Sequence, residues 1–332
     1  MMEVSTKTKK PKIRLQITKG YQFVNGIVQK NKLNTVCEEA RCPNIYECWD
    51  RGTGTIMILG DICTRACGFC SVKTGKPTWN DPLEPYRTAM AVKKMALKHV
   101  VITSVDRDDL KNDYGASIWA ETIDQIHEHV PDCNVEVLTP DFKGDVSSLL
   151  KVFSANPEIF SHNVECVERI SKKVRSQANW QRSLSVLKFS VENKLKTKTG
   201  MMVGLGESFD EVIDTMKQVS EIGVKLFTIG QYLQPTKHHL PVARYVSPEA
   251  FDHYREWGLE RGFLEVGVLW NGPLAASPGV DAGDGQDPPP EHRPPYVSHH
   301  GRDLVQIVPY SDLRPYQSSF VESVGPRDPL VD

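Results

Sequence analysis

From Thr55 onward the chain alternates between short apolar runs and longer amphipathic stretches. The runs are Ile56 to Leu59, Val100 to Thr103, Val135 to Leu138, Ile159 to Ser161, Thr199 to Val203 and Phe227 to Ile229, each of strand length. The stretches between them have helix length, and two carry start signals. Ser208 followed by Glu211 forms a capping box ahead of Val212, Met216 and Val219, which share one helical face. Ser247 followed by Pro248 predicts an N-cap and first-turn proline for a helix running toward Gly262. Strand-then-helix repetition predicts an α/β fold with a parallel sheet curled into a partial (β/α)6 TIM-like barrel.

The residues just after each run support a barrel. Cys63, Cys67 and Cys70 come after the first, and Thr103 to Asp109 after the second. Thr139-Pro140-Asp141, His162 to Glu165, Gly204 to Glu207 and Gln231 to Pro235 come after the others. Reactive side chains thus collect at the carboxyl ends of the strands, where barrels place their sites. Loops are polar in any case, but six such loops together favour a site.

The flanks differ. Residues 1–54 read as an N-terminal extension with one short helix and a Pro-, Asn- and Gly-rich loop around Cys37, Cys42 and Cys48. Residues 55–265 form the barrel core, and 266–332 a tail with no lysine and eleven of the chain's 22 prolines. That composition predicts a disordered or extended tail.

Composition narrows the function by exclusion. A net charge of −2 over 332 residues gives no electrostatic case for nucleic acid or an anionic membrane, and the basic run from Lys7 to Arg14 reads as a solvated terminus. No stretch reaches the ~18 apolar residues of a membrane span, and the first residues lack the apolar core of a secretory signal. The expectation is an intracellular protein, in which eight cysteines point to metal or redox chemistry rather than disulfides.

Six of those cysteines fall between Cys37 and Cys70 as a C-x4-C-x5-C set and a C-x3-C-x2-C set. Three thiolates on a tight loop hold a cluster while leaving one coordination position open. Zinc is the alternative, but it takes four ligands and the gaps are not paired C-x2-C knuckles, which favours iron–sulfur. Cys133 and Cys166 read as small core residues.

The run Cys63-Thr64-Arg65-Ala66-Cys67-Gly68-Phe69-Cys70, placed after a strand, resembles the signature of the radical S-adenosylmethionine enzymes, and Gly200 to Glu207 resembles their adenine-side glycine element. The likeness then narrows. Val36 to Asn44, Glu47-Cys48-Trp49, Phe69 to Gly75, Thr103 to Leu110, Leu138 to Phe142, His162 to Glu165 and Gly230 to Arg244 together look like the lipoyl synthase family, nearly continuously from Asn34 to Phe263. The upstream cysteine triplet discriminates this family from other radical enzymes.

The resemblance implies a sulfurtransferase with two [4Fe-4S] clusters and S-adenosylmethionine. Cys63, Cys67 and Cys70 would hold the catalytic cluster, and Cys37, Cys42 and Cys48 an auxiliary cluster that donates sulfur. Thr103, Ser104, Asn163, Gly204, Glu207 and Gln231 would line the S-adenosylmethionine side, while Arg107 and Asp108 read equally as a structural ion pair. The reaction implied is sulfur insertion at C6 and C8 of an octanoyl chain on a lysine of a lipoyl carrier protein. The implied carriers are the lipoyl domain of a 2-oxoacid dehydrogenase and the H protein of glycine cleavage, with flavodoxin or ferredoxin as electron donor. The implied compartment is the cytoplasm, or a mitochondrion or plastid if a transit peptide has been lost.

The tail departs from the family. The family's auxiliary cluster takes its fourth ligand from a serine in an Arg-Ser-Ser-Tyr motif, whereas here Gly272-Pro273-Leu274 runs into Ala275-Ala276-Ser277-Pro278. The abrupt change near Val266 resembles a replaced or frame-shifted end, and it leaves as an alternative a cluster-binding homologue that cannot complete sulfur insertion.

Overall fold

A computed structural model describes residues 17–31, 33–39, 45–50 and 55–269, without the side chains of residues 36, 47, 48 and 50. Its centre is a sheet of eight strands. These are β1 (Asn34–Thr35), β2 (Thr55–Ile58), β5 (His99–Ser104), β6 (Asn134–Leu138), β7 (Ile159–Ser161), β8 (Thr197–Val203), β9 (Leu226–Gln231) and β10 (Glu265–Leu269), paired in that order. Two further strands, β3 (Ile62–Cys63) and β4 (Lys73–Thr74), pair in parallel in a small separate sheet. From β2 onward every neighbour in the large sheet is parallel, and only β1 runs antiparallel, on the outer edge of β2. All six predicted strands are present. Those from β5 to β9 are almost wholly buried, as befits parallel strands covered by helices on one face and barrel contents on the other.

The helices are α1 (Lys19–Lys30), α2 (Val36–Glu39), α3 (Ile45–Asp50), α4 (Glu84–Met95), α5 (Ala116–His129), α6 (Val146–Ser154), α7 (Glu168–Val174), α8 (Trp180–Glu192), α9 (Phe209–Ile222) and α10 (Pro248–Glu260). The capping box is formed, with Ser208 accepting from the Glu211 amide and Glu211 from the Ser208 amide. Val212, Met216 and Val219 are completely buried, so truncating any of them to alanine costs about 2–4 kcal/mol. Ser247 caps α10 with Pro248 in its first turn. Cys133 and Cys166 are buried in the core as read from the sequence.

The structure changes two readings. Val266 to Leu269, assigned to the tail, form most of β10, whose residues pair in continuous register from Glu265 with Leu226 to Leu269 with Gly230. Val266 and Val268 point into the core while Glu265, Gly267 and Leu269 alternate outward, so the core reaches Leu269 rather than residue 265. Residues 270–332, with the rest of the expected tail and Ser277, lie outside the described residues. Of the segment around the first cysteine triplet, the predicted loop residues Pro43, Asn44, Gly52 and Gly54 lie outside the described residues, while residues 36–39 and 45–50 are helical. Cys37 lies on α2, started by the Thr35 hydroxyl accepting from the Glu38 amide, and Cys48 lies on α3. Trp49 on α3 is fully buried and stacks on Tyr21 of α1, which fixes that helix against the barrel.

Candidate active site

The carboxyl ends of the parallel strands open on a cavity of about 610 Å³. Several non-glycine residues past those ends are held at positive φ, among them Leu59 at 68° and Glu165 at 69°. These two are pinned by their own backbone bonds. The Leu59 amide donates to Glu84 (2.7 Å) and its carbonyl accepts from Arg107 (3.2 Å). The Glu165 amide donates to the Gly200 carbonyl (3.1 Å), and its carbonyl accepts from the Met202 amide (2.8 Å). Strain that is over-determined in this way clusters where chains must be re-aimed into a site.

The loop from Cys63 to Cys70 lies along one wall, and all three of its thiols border the cavity. It is tied down on both sides. The Thr64 hydroxyl donates to the Asp106 carbonyl (2.9 Å) and accepts from the Asp108 amide (2.9 Å). Arg65, only 5% exposed, sends its guanidinium under the loop to three carboxylates beyond β5 and β6. Its Nε and Nη2 form a fork on Asp108 (2.9 and 2.8 Å), Nη2 reaches Asp141 (2.7 Å), and Nη1 reaches Asp106 (3.1 Å). Those charges hold the guanidinium pKa well above its ordinary value, against the opposing effect of burial, and hold the Asp141 carboxyl well below the usual range.

The donor set fits a cluster held by three cysteines. Burial, then the charges of Asp106 and the neighbouring thiols, pushes all three thiols up, Cys70 to about 11. Thiolates are favourable there only beside a cation such as cluster iron. The Arg65 amide already donates to the Cys63 sulfur (3.4 Å). Among the described residues no three acidic, His or Cys side chains gather tightly enough for one metal ion; in a cubane, by contrast, each thiolate takes a different iron.

The remaining expected residues divide. Thr103, Ser104 and Asn163 border the cavity, with the Thr103 hydroxyl donating to the Leu138 carbonyl (2.8 Å) and Ser104 to that of Val105 (2.8 Å). Gly204, Glu207 and Gln231 stand behind its wall. Glu207 accepts from the Gly204 and Leu205 amides (2.7 and 2.9 Å), a nest that closes the glycine turn. Gln231, fully buried, donates its amide to the Tyr232 and Arg244 carbonyls and accepts from the Val246 amide (2.8 Å). Both therefore shape the backbone around the cavity, a role the sequence reading did not give them. Gly204, at φ +99°, leaves no room for a Cβ, which would lie 2.6 Å from the Arg244 carbonyl oxygen.

Arg107 and Asp108 do not pair with each other. Arg107 forks onto Asp109 (2.9 Å each) and Asp108 pairs with Arg65 and Lys143, because side chains of adjacent residues diverge. Of the first triplet, Cys37 is buried beside Trp49, and burial raises its thiol. Cys42 and the side chain of Cys48 lie outside the described residues. The two triplets are nevertheless joined, since the Ser71 hydroxyl next to Cys70 donates to the Glu39 carbonyl of α2 (2.6 Å).

Several cavity residues were not singled out from the sequence. Asp106 lies 4.0 Å from the Cys63 sulfur, and burial, outweighing Arg65, pushes its carboxyl up to about 6. Glu165 is raised to about 7, again chiefly by burial, despite Arg175 and Asn163. Arg65 was legible as part of the cysteine motif but not as its anchor, since its partners lie over forty residues away.

The chain matches the radical SAM superfamily over residues 57–219. It is 52% identical over 268 residues to lipoyl synthase of Rubrobacter xylanophilus, covering 80% of this chain and 82% of that one. It is 50% identical to the Thermus thermophilus lipoyl synthase (77% and 80% covered) and 49% identical to the mitochondrial lipoyl synthase of Nematostella vectensis (77% and 89%). In fold it is similar to methylornithine synthase (PylB), with TM-score 0.50 at 13% identity, covering 70% of this chain and 77% of that one. Streptococcus suis SuiB bound to S-adenosylmethionine gives 0.53 at 10% identity, with 68% and 53% covered. A thiol-lined cavity at the mouth of a curled parallel sheet, together with half-identity to these relatives across the described core, settles the family: the chain belongs to the lipoyl synthases of the radical S-adenosylmethionine superfamily.

Proposed function

We propose that this sulfurtransferase inserts sulfur at C6 and C8 of an octanoyl chain on the lysine of a carrier, either the lipoyl domain of a 2-oxoacid dehydrogenase or the H protein of glycine cleavage. Flavodoxin or ferredoxin supplies electrons, in the cytoplasm or, for an organellar form, in a mitochondrion or plastid. The observation that carries the reading is the convergence of Cys63, Cys67 and Cys70 on one cavity that also has apolar walls. Among the described residues no helix is long and apolar enough to cross a membrane.

When bound, the cluster at Cys63, Cys67 and Cys70 supplies the electron that cleaves S-adenosylmethionine, and the second cluster, at Cys37, Cys42 and Cys48, supplies the sulfur. The protein's part is to hold and to exclude. Thr103, Ser104 and Asn163 offer polar contacts on the S-adenosylmethionine side, while Gly204, Glu207 and Gln231 keep the backbone of that wall in place. Met57, Val72, Leu138, Met202 and Leu233 give an acyl chain an apolar bed and displace water that a carbon radical would meet. The Ser71 to Glu39 bond supports a fixed spacing between the two triplets, which a substrate lying between them needs. The relatives do not favour the alternative of an impaired homologue.

Anaerobic reconstitution with iron and sulfide, followed by mass spectrometry of an octanoylated carrier peptide, tests this. Two cubanes give about eight irons per chain, and alanine at Cys63, Cys67 and Cys70 leaves about half. About four irons or fewer in the unaltered chain removes the two-cluster reading, and S-adenosylmethionine cleavage without thiolated peptide removes sulfur insertion.

A further inference from the structure

The chain leaving β9 does not return directly to α10. Residues 232–246 cross the cavity mouth as a strap, and Tyr232, Leu233, Gln234, Pro235, Val242 and Tyr245 contribute to its wall. One end of the strap is bonded to the glycine loop. The Ala243 amide donates to the Gly204 carbonyl (2.8 Å), Gln231 holds Arg244 and Val246, and Arg244 meets Glu207 at 3.4 Å. The middle of the strap is bonded to the cysteine loop. The Leu240 amide donates to the Gly68 carbonyl (2.9 Å), and the Gly68 amide donates in turn to the Val174 carbonyl (2.8 Å). Gly68 has no space for a side chain, because a Cβ there would lie 2.9 Å from Leu240 Cγ.

His239 reaches the last cysteine of the cysteine loop. Its Nε2 lies 3.0 Å from the Cys70 carbonyl oxygen, and its Nδ1 lies 2.8 Å from the Thr236 hydroxyl. A carbonyl only accepts, so Nε2 carries the hydrogen and donates. The strap is rigid around this ring. Gln234 donates to the His239 carbonyl (2.9 Å) and the Tyr232 hydroxyl donates to the Leu240 carbonyl (2.7 Å). The imidazole is therefore presented to the cysteine loop from a braced turn, 169 positions along the chain from the carbonyl it holds.

We propose that His239 is a positioning residue, which fixes the Cys70 end of the cysteine loop and, through the strap, sets that loop in register with the Gly204–Glu207 turn. Neither loop touches the other through these bonds; the strap is their shared support. A sulfonium nucleoside resting between the cysteine loop and the wall that the glycine turn supports would be held tightly only when the two loops keep one spacing. The proposal rests on the reading that Cys63, Cys67 and Cys70 hold the catalytic cluster.

Three substitutions test it. In His239→Gln the side-chain amide nitrogen takes the place of Nε2 and keeps the bond to Cys70, whereas in His239→Asn it takes the place of Nδ1 and falls short. His239→Ala loses both bonds. Titration of the reduced holoenzyme with S-adenosylmethionine, followed by the change in its electron paramagnetic resonance spectrum, should show affinity weakened about five- to tenfold in the Ala and Asn variants and within about twofold of the parent in Gln. Hydrogen exchange on the metal-free protein gives a second readout, with faster exchange at residues 68–70 and 240 in Ala and Asn but not in Gln. Unchanged affinity and exchange in His239→Asn overturns the proposal, as does a Gln variant as impaired as Asn. Because the decisive pair is Gln against Asn, misfolding of the Ala variant does not blunt the test. Cys70→Ala separates the underlying reading: if that variant keeps a full iron complement, the cluster assignment fails, whatever His239 does.

Discussion

Arg65→Met keeps the length of the side chain and deletes its charge beneath the cysteine loop. Three carboxylates lose a partner, but unequally. Asp108 keeps Lys143 at 2.8 Å, and Asp141 keeps Arg182 at 3.1 Å together with the Lys143 amide. Asp106, whose side chain is 22% exposed, loses its only direct ion pair among the described residues. Removing one member of a buried ion network costs about 3–5 kcal/mol, and the surviving partners put this case near 3. For a core of this size that lowers the melting temperature by roughly 6–12 °C. The loss depends on pH in a fixed direction. Asp106 already has a folded pKa of about 6, above its unfolded value, so its contribution is favourable in acid and is lost as pH rises through 6. Without Arg65 the folded pKa rises further, so the gap between variant and parent is wider at pH 8 than at pH 5.5. Calorimetry of the metal-free protein at both values reads this directly. Arg65→Lys, which returns a charge without the fork, should recover less than half of the loss. Equal melting temperatures at pH 8 for Arg65→Met and the parent would refute the argument that this guanidinium anchors the loop.

Two further outcomes are expected elsewhere around the cavity. His162 is buried, donates from Nδ1 to the Thr139 carbonyl (2.9 Å) and accepts at Nε2 from Ser183 (3.0 Å), and burial lowers its pKa to about 4. Stability present above pH ~6.5 is therefore lost as pH falls toward 4, by on the order of 3 kcal/mol, and His162→Gln should flatten that part of the stability curve. Asp106 and Glu165, both raised, act in the opposite sense over an overlapping range, so the readout is the difference between variant and parent, and superimposable curves would contradict it. Gly204→Ala puts a methyl group against the Arg244 carbonyl and the Gln231 amide at positive φ. It should weaken S-adenosylmethionine binding at least tenfold while iron content stays within a tenth of the parent, and unaltered binding would show that the turn has slack.

The strands were legible because parallel strands buried on both faces leave continuous apolar runs, and all six show it almost residue for residue. β10 was not, because its Val-Gly-Val is short and adjoins a proline-rich, lysine-free segment whose composition dominated the reading. The second cysteine triplet was legible from spacing alone, since its members are close in sequence, and the structure brings all three to one cavity. Glu207 and Gln231 were found by pattern but assigned to the ligand side, whereas their side chains bond mainly to backbone, with Glu207 also meeting Arg244. Arg65 and His239 show the limit most clearly. Each works on partners brought close only by the closed fold, and nothing in the residues beside them records which carboxylate or carbonyl lies opposite.

Among the described residues the curled sheet does not join end to end, for β1 and β10 stand at its two edges and pair with nothing beyond. A closed ring would admit a ligand only along its axis and would force a substrate bound to a large protein to thread in head first. A sheet with a lateral seam imposes no such order. In a sheet whose two edge strands remain apart, an acyl arm carried by a second protein would have a lateral approach to the carboxyl ends of the strands, a consequence that follows from the strand order of the described residues alone.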